Sequence, residues 1–196
     1  MRFEGKDINE LSVQERNLYV EYHKWKFQTS WFSKLTHNKH ALVLNTKAGF
    51  GYLGSFNSNL GTSPFERFYL GGDGLGSYSL DGRESIALRG YPNQSLSDQD
   101  GGTIYNKFSL ELRYPITLKA SAKIFALGFL EGGASYNNFR DYNPFSIKRS
   151  AGLGIRIFMP AFGLLGIDFG HRFDDIPGQP GSSNTWETHF IIGQQF

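Results

Sequence analysis

The sequence predicts an all-β fold: seven antiparallel strands forming the C-terminal part of a transmembrane β-barrel. Three observations predict it. The candidate strands are longer than those of soluble proteins. The connections between them alternate between short and long. Charges inside the strands keep to one face.

Composition supports strands over helices. Of 196 residues, 16% are aromatic and 24 are glycine, a mix suited to strands and tight turns. This length ordinarily means one domain. There is no cysteine, which excludes a disulfide framework and a thiolate metal site. The 20 basic and 18 acidic residues leave a net charge of +2, without the clustered basic stripe of a nucleic-acid binder. No stretch reaches the ~18 apolar residues of a membrane helix. The longest apolar run, 157–167, is bounded by Arg156 and Asp168 and interrupted by Pro160. Barrel strands escape such a search because alternation averages to mild hydrophobicity. The start, Met1 to Asp7, has no apolar core of a signal peptide. The expectation is that a leader was removed, or that the chain begins partway through a longer protein.

The expected strands cover residues 19–32, 40–54, 104–114, 120–136, 147–159, 164–173 and 186–196. Many match or exceed the ~9–11 residues that cross a bilayer at a tilt. Short connections are expected at 33–39, 115–119 and 160–163, and long ones at 55–103, 137–146 and 174–185. Up-and-down outer-membrane barrels have short periplasmic turns and long extracellular loops. That rhythm would put the last long loop outside the cell and the C-terminus on the periplasmic side.

Side chains alternate between the two faces of a strand. A charge facing mid-membrane lipid costs ~2–4 kcal/mol, so charges should share the lumen face. Glu111 and Arg113 share parity with Ser109, opposite Phe108, Leu110, Leu112 and Tyr114; Lys123 and Glu131 likewise share parity. Asp168 and Arg172 oppose Leu165, Ile167, Phe169 and Phe173, and Glu187 and His189 oppose Phe190, Ile192 and Phe196. Lys24 and Lys26 oppose Trp25, Phe27 and Trp31, while Glu21 breaks the pattern, at a rim or past a bulge. A soluble sandwich also alternates, but long strands and the loop rhythm argue against it.

The loop 55–103 is far longer than the ~12–15 residues at which unstructured loops become unusual, and such loops are often functional. It contains the run Phe65 to Asp73 (FERFYLGGD), with Gly71, Gly72 and Asp73, and later Leu88-Arg89-Gly90-Tyr91. FERFYLGGD followed by LRGY resembles the signature loop of the BamA family, the outer-membrane protein assembly factors. TIYNKFSLELRYP, FALGFLEGGASY, KRSAGLGIRIFMPAFGLLGIDFG and HFIIGQQF resemble the family's following strands, in order, over about the last two-thirds of the chain.

The resemblance implies that this loop folds into the lumen. There Arg89 would pair with Glu111 and Glu131 on the wall, beside Phe129, with Gly90 permitting a tight tip. Inward glycines such as Gly152, Gly154 and Gly166 would leave the loop room. It implies a sixteen-stranded barrel of the bacterial outer membrane, of which residues 1–196 supply the last seven strands, without the first strands or the periplasmic domains. It implies a function, folding client barrels through a weakly paired seam without ATP, with Gly193 and Phe196 on the gate strand. The implied partners are the outer-membrane lipid bilayer, unfolded outer-membrane protein clients and accessory lipoprotein subunits of an assembly complex. No nucleic acid, chemical cofactor, metal or enzymatic residue is expected. Two alternatives stay open: a protein translocator of the same superfamily, such as a two-partner secretion exporter, and a passive porin-like channel.

Other motifs carry less. Gly72 to Gly76 does not join a strand to a helix as a phosphate loop must. Asp73 and Asp81 lack calcium-loop spacing, and His37 and His40 have no third metal ligand in reach of the sequence.

Overall fold

A computed structural model of the chain describes residues 2–3, 6–7, 12–37, 40–57, 60–75 and 83–193. Two short strands, β1 (Arg2–Phe3) and β2 (Lys6–Asp7), pair with each other. Helix α1 (Val13–Asn17) follows. Its start is fixed by a capping box: Ser12 Oγ accepts from the Glu15 amide at 3.3 Å, and Glu15 Oε2 accepts from the Ser12 amide at 2.9 Å.

The next elements are β3 (Tyr22–Lys34), β4 (Val43–Ser55), and the short β5 (Phe68–Leu70) and β6 (Glu84–Ile86). Then come β7 (Ile104–Leu118), β8 (Lys123–Tyr136), β9 (Lys148–Met159), β10 (Gly163–Arg172) and β11 (Thr185–Gly193). Seven of them form one antiparallel sheet in the order β11-β10-β9-β8-β7-β4-β3. Apart from the long excursion between β4 and β7, each strand pairs with its neighbour in sequence, as in an up-and-down wall. These strands run from 9 to 15 residues, enough to cross a bilayer.

The expected strands all exist, with shifted ends. The largest shift is in β7, which passes through Pro115 to Leu118 where a turn was expected. Pro115 pairs with Phe125, and the register slips between Pro115 and Thr117. Proline lacks the N–H a ladder needs, and a bulge is where a sheet accommodates it. The connecting turn therefore shrinks to residues 119–122. Glu21 is no exception to the parity rule, because β3 begins after it, at Tyr22.

The two faces differ chemically. Phe108, Leu110, Leu112 and Tyr114 are exposed on the outer face, as are Leu130, Leu153, Phe169, Trp186 and Phe190. The inner face is where burial occurs. Leu53 and Tyr105 of the wall pack there with Phe68, Leu70, Ile86, Leu88, Tyr91 and Leu96 of the loop 56–103, and with Ile176. The core thus lies between the wall and its own longest loop, and the apolar outer face is left uncovered except where the loop 137–147 crosses it.

Candidate functional site

The described parts of the loop fold into a small unit. β5 and β6 pair in parallel, with Phe68, Tyr69 and Leu70 opposite Glu84, Ser85 and Ile86. Gly71 and Gly72, at φ +123° and +83°, turn the chain so that Gly72 and Leu88 exchange two backbone hydrogen bonds of 3.1 and 3.0 Å. An added Cβ at Gly72 would collide with the Asn93 side chain. Asp73 stays within this turn, its amide donating to Asn93 Oδ1 at 3.1 Å and its Oδ1 accepting from the Leu75 amide at 2.8 Å. The Leu88 bridge fixes where Arg89 begins.

Arg89 is 4% exposed and lies among three carboxylates. Its Nη2 donates to Glu111 Oε1 and to Glu131 Oε1, each at 2.7 Å, and its Nη1 donates to Asp168 Oδ2 at 3.0 Å. Its backbone amide donates to Glu131 Oε2 at 2.9 Å. The guanidinium stacks 3.8 Å above the Phe129 ring. Burial opposes the charged form of Arg89, and the carboxylates of Glu131, Glu111 and Asp168 more than offset it, holding its pKa above the ordinary arginine value.

The acids have further partners, which is what makes burial of so much charge tolerable. Arg113 reaches Glu111 Oε2 with Nε at 3.0 Å and Nη2 at 2.5 Å. Lys107 Nζ lies 3.3 Å from Glu131, and Ser109 Oγ donates to it at 3.0 Å. Arg156 grips Asp168 with two bonds of 2.6 Å. The result is a charged network spanning β7, β8, β9 and β10.

Gly90 extends it to β11. Its amide donates to His189 Nε2 at 2.8 Å, and its carbonyl accepts from Arg172 Nη1 at 3.3 Å. Gly90 has φ +90°, and a Cβ there would meet Ser150 Cβ at 2.9 Å. Glycine is needed on both counts. Tyr91 is fully buried and donates to the Arg149 carbonyl at 2.8 Å; burial pushes its hydroxyl up to about 12.

The glycines of the wall act differently from the expectation. A Cβ at Gly152 would strike the Phe129 ring, one at Gly154 the Asp168 carboxylate, and one at Gly166 the Arg156 side chain. They make room for other wall side chains. Room for the loop tip comes from Gly170, whose added Cβ would lie 2.5 Å from the Gly90 nitrogen. Gly193, at the end of β11, meets only Leu164 Cβ at 3.9 Å. Phe196 lies outside the described residues.

The Arg89 guanidinium donates three hydrogen bonds, one to each of three carboxylates on the wall. The arrangement is mechanical: it fastens a loop to a wall. Residues 9–196, which hold this loop and the whole sheet, match the Omp85 superfamily domain. The chain belongs to the Omp85 superfamily. A search of curated proteins returned no match. Among solved structures, this Omp85 chain is similar to BamA from Haemophilus ducreyi, in a crystal structure lacking POTRA domains 1-3. The TM-score is 0.61 at 19% identity, over 87% of this chain and 35% of that chain. The seven-stranded sheet therefore has the fold of part of that barrel, and the chain spans about a third of its length.

Seven residues of the network in this Omp85 chain were not singled out as partners from sequence: Lys107, Ser109, Arg113, Arg156, Asp168, Arg172 and His189. Parity had already turned Ser109, Arg113, Asp168, Arg172 and His189 inward. What parity lacked was the register across strands, which decides which inward groups meet Arg89.

Proposed function

We propose that this Omp85 chain is the C-terminal wall of a bacterial outer-membrane barrel that inserts and folds other outer-membrane barrels. The loop motif Arg89-Gly90-Tyr91 is the latch that holds this wall in its working shape. The observation that carries the reading is the contact set of the latch. Arg89 holds Glu111 on β7, Glu131 on β8 and Asp168 on β10, and Gly90 holds His189 on β11.

In this reading β11 is one side of a lateral seam. Its outer edge has no strand partner among the described residues. A free edge offers backbone groups to an incoming strand, and pairing by β-augmentation needs neither ATP nor a chemical cofactor. Among the described residues an added Cβ at Gly193 would meet Leu164 Cβ at 3.9 Å, so the glycine serves there through backbone latitude and weakened pairing. The partners are the lipid bilayer, unfolded barrel clients and accessory lipoproteins.

The test is charge reversal in the full-length protein, reconstituted in vesicles with an unfolded client barrel. Arg89→Glu is expected to abolish client insertion, and Glu131→Lys in the same protein to restore part of it. Restoration stays partial because Glu111 and Asp168 keep facing the reversed charge. Normal insertion by Arg89→Glu overturns the reading. So does export of a soluble partner with no effect on client barrels.

A further inference from the structure

We infer that the loop 137–147 is a membrane-interface anchor, folded over the outside of the wall so that its aromatic side chains sit among lipid headgroups. The inference rests on the membrane reading above.

The loop between β8 and β9 does not extend the strands into solvent. It bends back over the outer face. Tyr142 meets the Phe50 ring at 5.8 Å and the Tyr136 ring at 5.5 Å, and Phe139 meets the Tyr52 ring at 5.9 Å. Phe50, Tyr52 and Tyr136 all point outward, on the face that carries Phe108 and Leu130. Asn106 shows the same geometry independently. Its parity is outward, yet it is 1% exposed under the loop, where its Nδ2 donates to the Pro144 carbonyl at 3.0 Å and its Oδ1 has no protein partner among the described residues. An uncovered amide facing lipid is costly, and the loop covers it. Tyr136 Oη fastens the strap: its one proton is donated to the Asn143 carbonyl at 2.7 Å or shared with the Ser146 carbonyl at 3.1 Å.

This strap leaves apolar area where a water-facing loop has no reason to place it. Phe145 is 90% exposed and Phe139 is 65% exposed. Between them Arg140 is exposed, with no carboxylate of the described residues in ion-pair range. Aromatic rings flanked by a cation, continuous with an apolar outer wall and at its long-loop end, match the boundary between acyl chains and phosphate headgroups. The occupant is therefore the outer-leaflet lipid itself.

The chain has no cysteine, so spin labels can be placed one at a time. Labels at Phe145→Cys, Leu153→Cys and Gln179→Cys are read in the full-length protein, in phosphatidylethanolamine and phosphatidylglycerol vesicles. Each is compared for relaxation by oxygen, which enters lipid, and by a nickel chelate, which stays in water. Leu153 lies on the outer face of β9 and Gln179 in the loop after β10; both are exposed. The expected result is a several-fold higher oxygen-to-nickel ratio at 145 than at 179, with 153 higher still. A label at 145 as open to nickel as that at 179, with 153 still in lipid, overturns the anchor and leaves the membrane reading standing. A label at 153 open to nickel overturns both.

Discussion

The backbone amide of Gly90, at the tip of a loop, donates to Nε2 of His189 on the last described strand, at 2.8 Å. The acceptor nitrogen carries no proton, so the imidazole is neutral with its proton on Nδ1. Replacing His189 with alanine leaves a buried amide without an acceptor, which costs ~1–3 kcal/mol. His189→Ala is expected to speed hydrogen exchange at Gly90 while β7 and β8 keep their protection. His189→Gln, whose side-chain oxygen can accept, should recover part of the loss.

Arg89→Lys tests whether charge or shape holds the loop. The two Nη groups reach carboxylates on three strands, and an ammonium cannot reproduce that planar fork. Breaking a buried ion pair by removing one partner costs ~3–5 kcal/mol. Lysine is expected to lose a large part of this, seen as a lower unfolding temperature and faster proteolysis of the loop 56–103. A lysine variant as stable as the parent would mean that charge alone suffices.

Gly170→Ala adds one methyl group directly against the loop tip. The new Cβ would stand 2.5 Å from the Gly90 nitrogen and 2.8 Å from its Cα, and backbone cannot swing aside as a side chain can. Overpacking of this kind costs ~1–3 kcal/mol. The tip is expected to lift, releasing Tyr91 from the Arg149 carbonyl. Gly193→Ala is the control, since only Leu164 lies within contact distance there, and it should leave loop protection unchanged.

Acid should loosen the loop after β10 before it touches the wall. The Arg149 side chain, hydrogen-bonded to Asp174, holds that carboxyl below its ordinary value, and hydrogen bonds from Ser183 and Gly181 do the same for Asp175. A carboxylate held low stabilises the fold above its ordinary range and loses that contribution as pH falls through the folded value. Loosening of residues 173–184 is therefore expected only below about pH 4, the ordinary range of aspartate. Hydrogen exchange at the Ser183 amide, followed through that window, measures it. Asp175→Asn should show the loosened state already at neutral pH.

The wall was legible because each of its strands carries the same alternation over nine or more residues, so errors at single positions average out. Pro115 misled for a local reason: its missing N–H reads as a turn, while the bulge that absorbs it depends on the partner strand β8. The pairs β5 and β6 were invisible because three-residue strands have no period to detect. The family resemblance drew attention to Arg89, Glu111 and Glu131, which the fold brings together. Asp168 is 79 residues away in sequence and reaches Arg89 only through the stacking of β8, β9 and β10. Ala126, Gly128, Gly132 and Ala134 share the outer parity with Tyr136, but nothing in that pattern told where the loop 137–147 would lie.

Glu111 stands on β7 and Asp168 on β10, three strand spacings apart, an arc of ~14 Å along a sheet. One guanidinium touches both, at 2.7 and 3.0 Å. The two acidic side chains and the guanidinium together bridge that arc. The latch is therefore a chord drawn across the wall, tying β7 to β10 from its inner face. Withdrawing the loop would let that arc relax toward a wider circle. The bore of the barrel and the occupancy of its lumen are on this account a single mechanical variable, with Arg89 at the point where they are coupled.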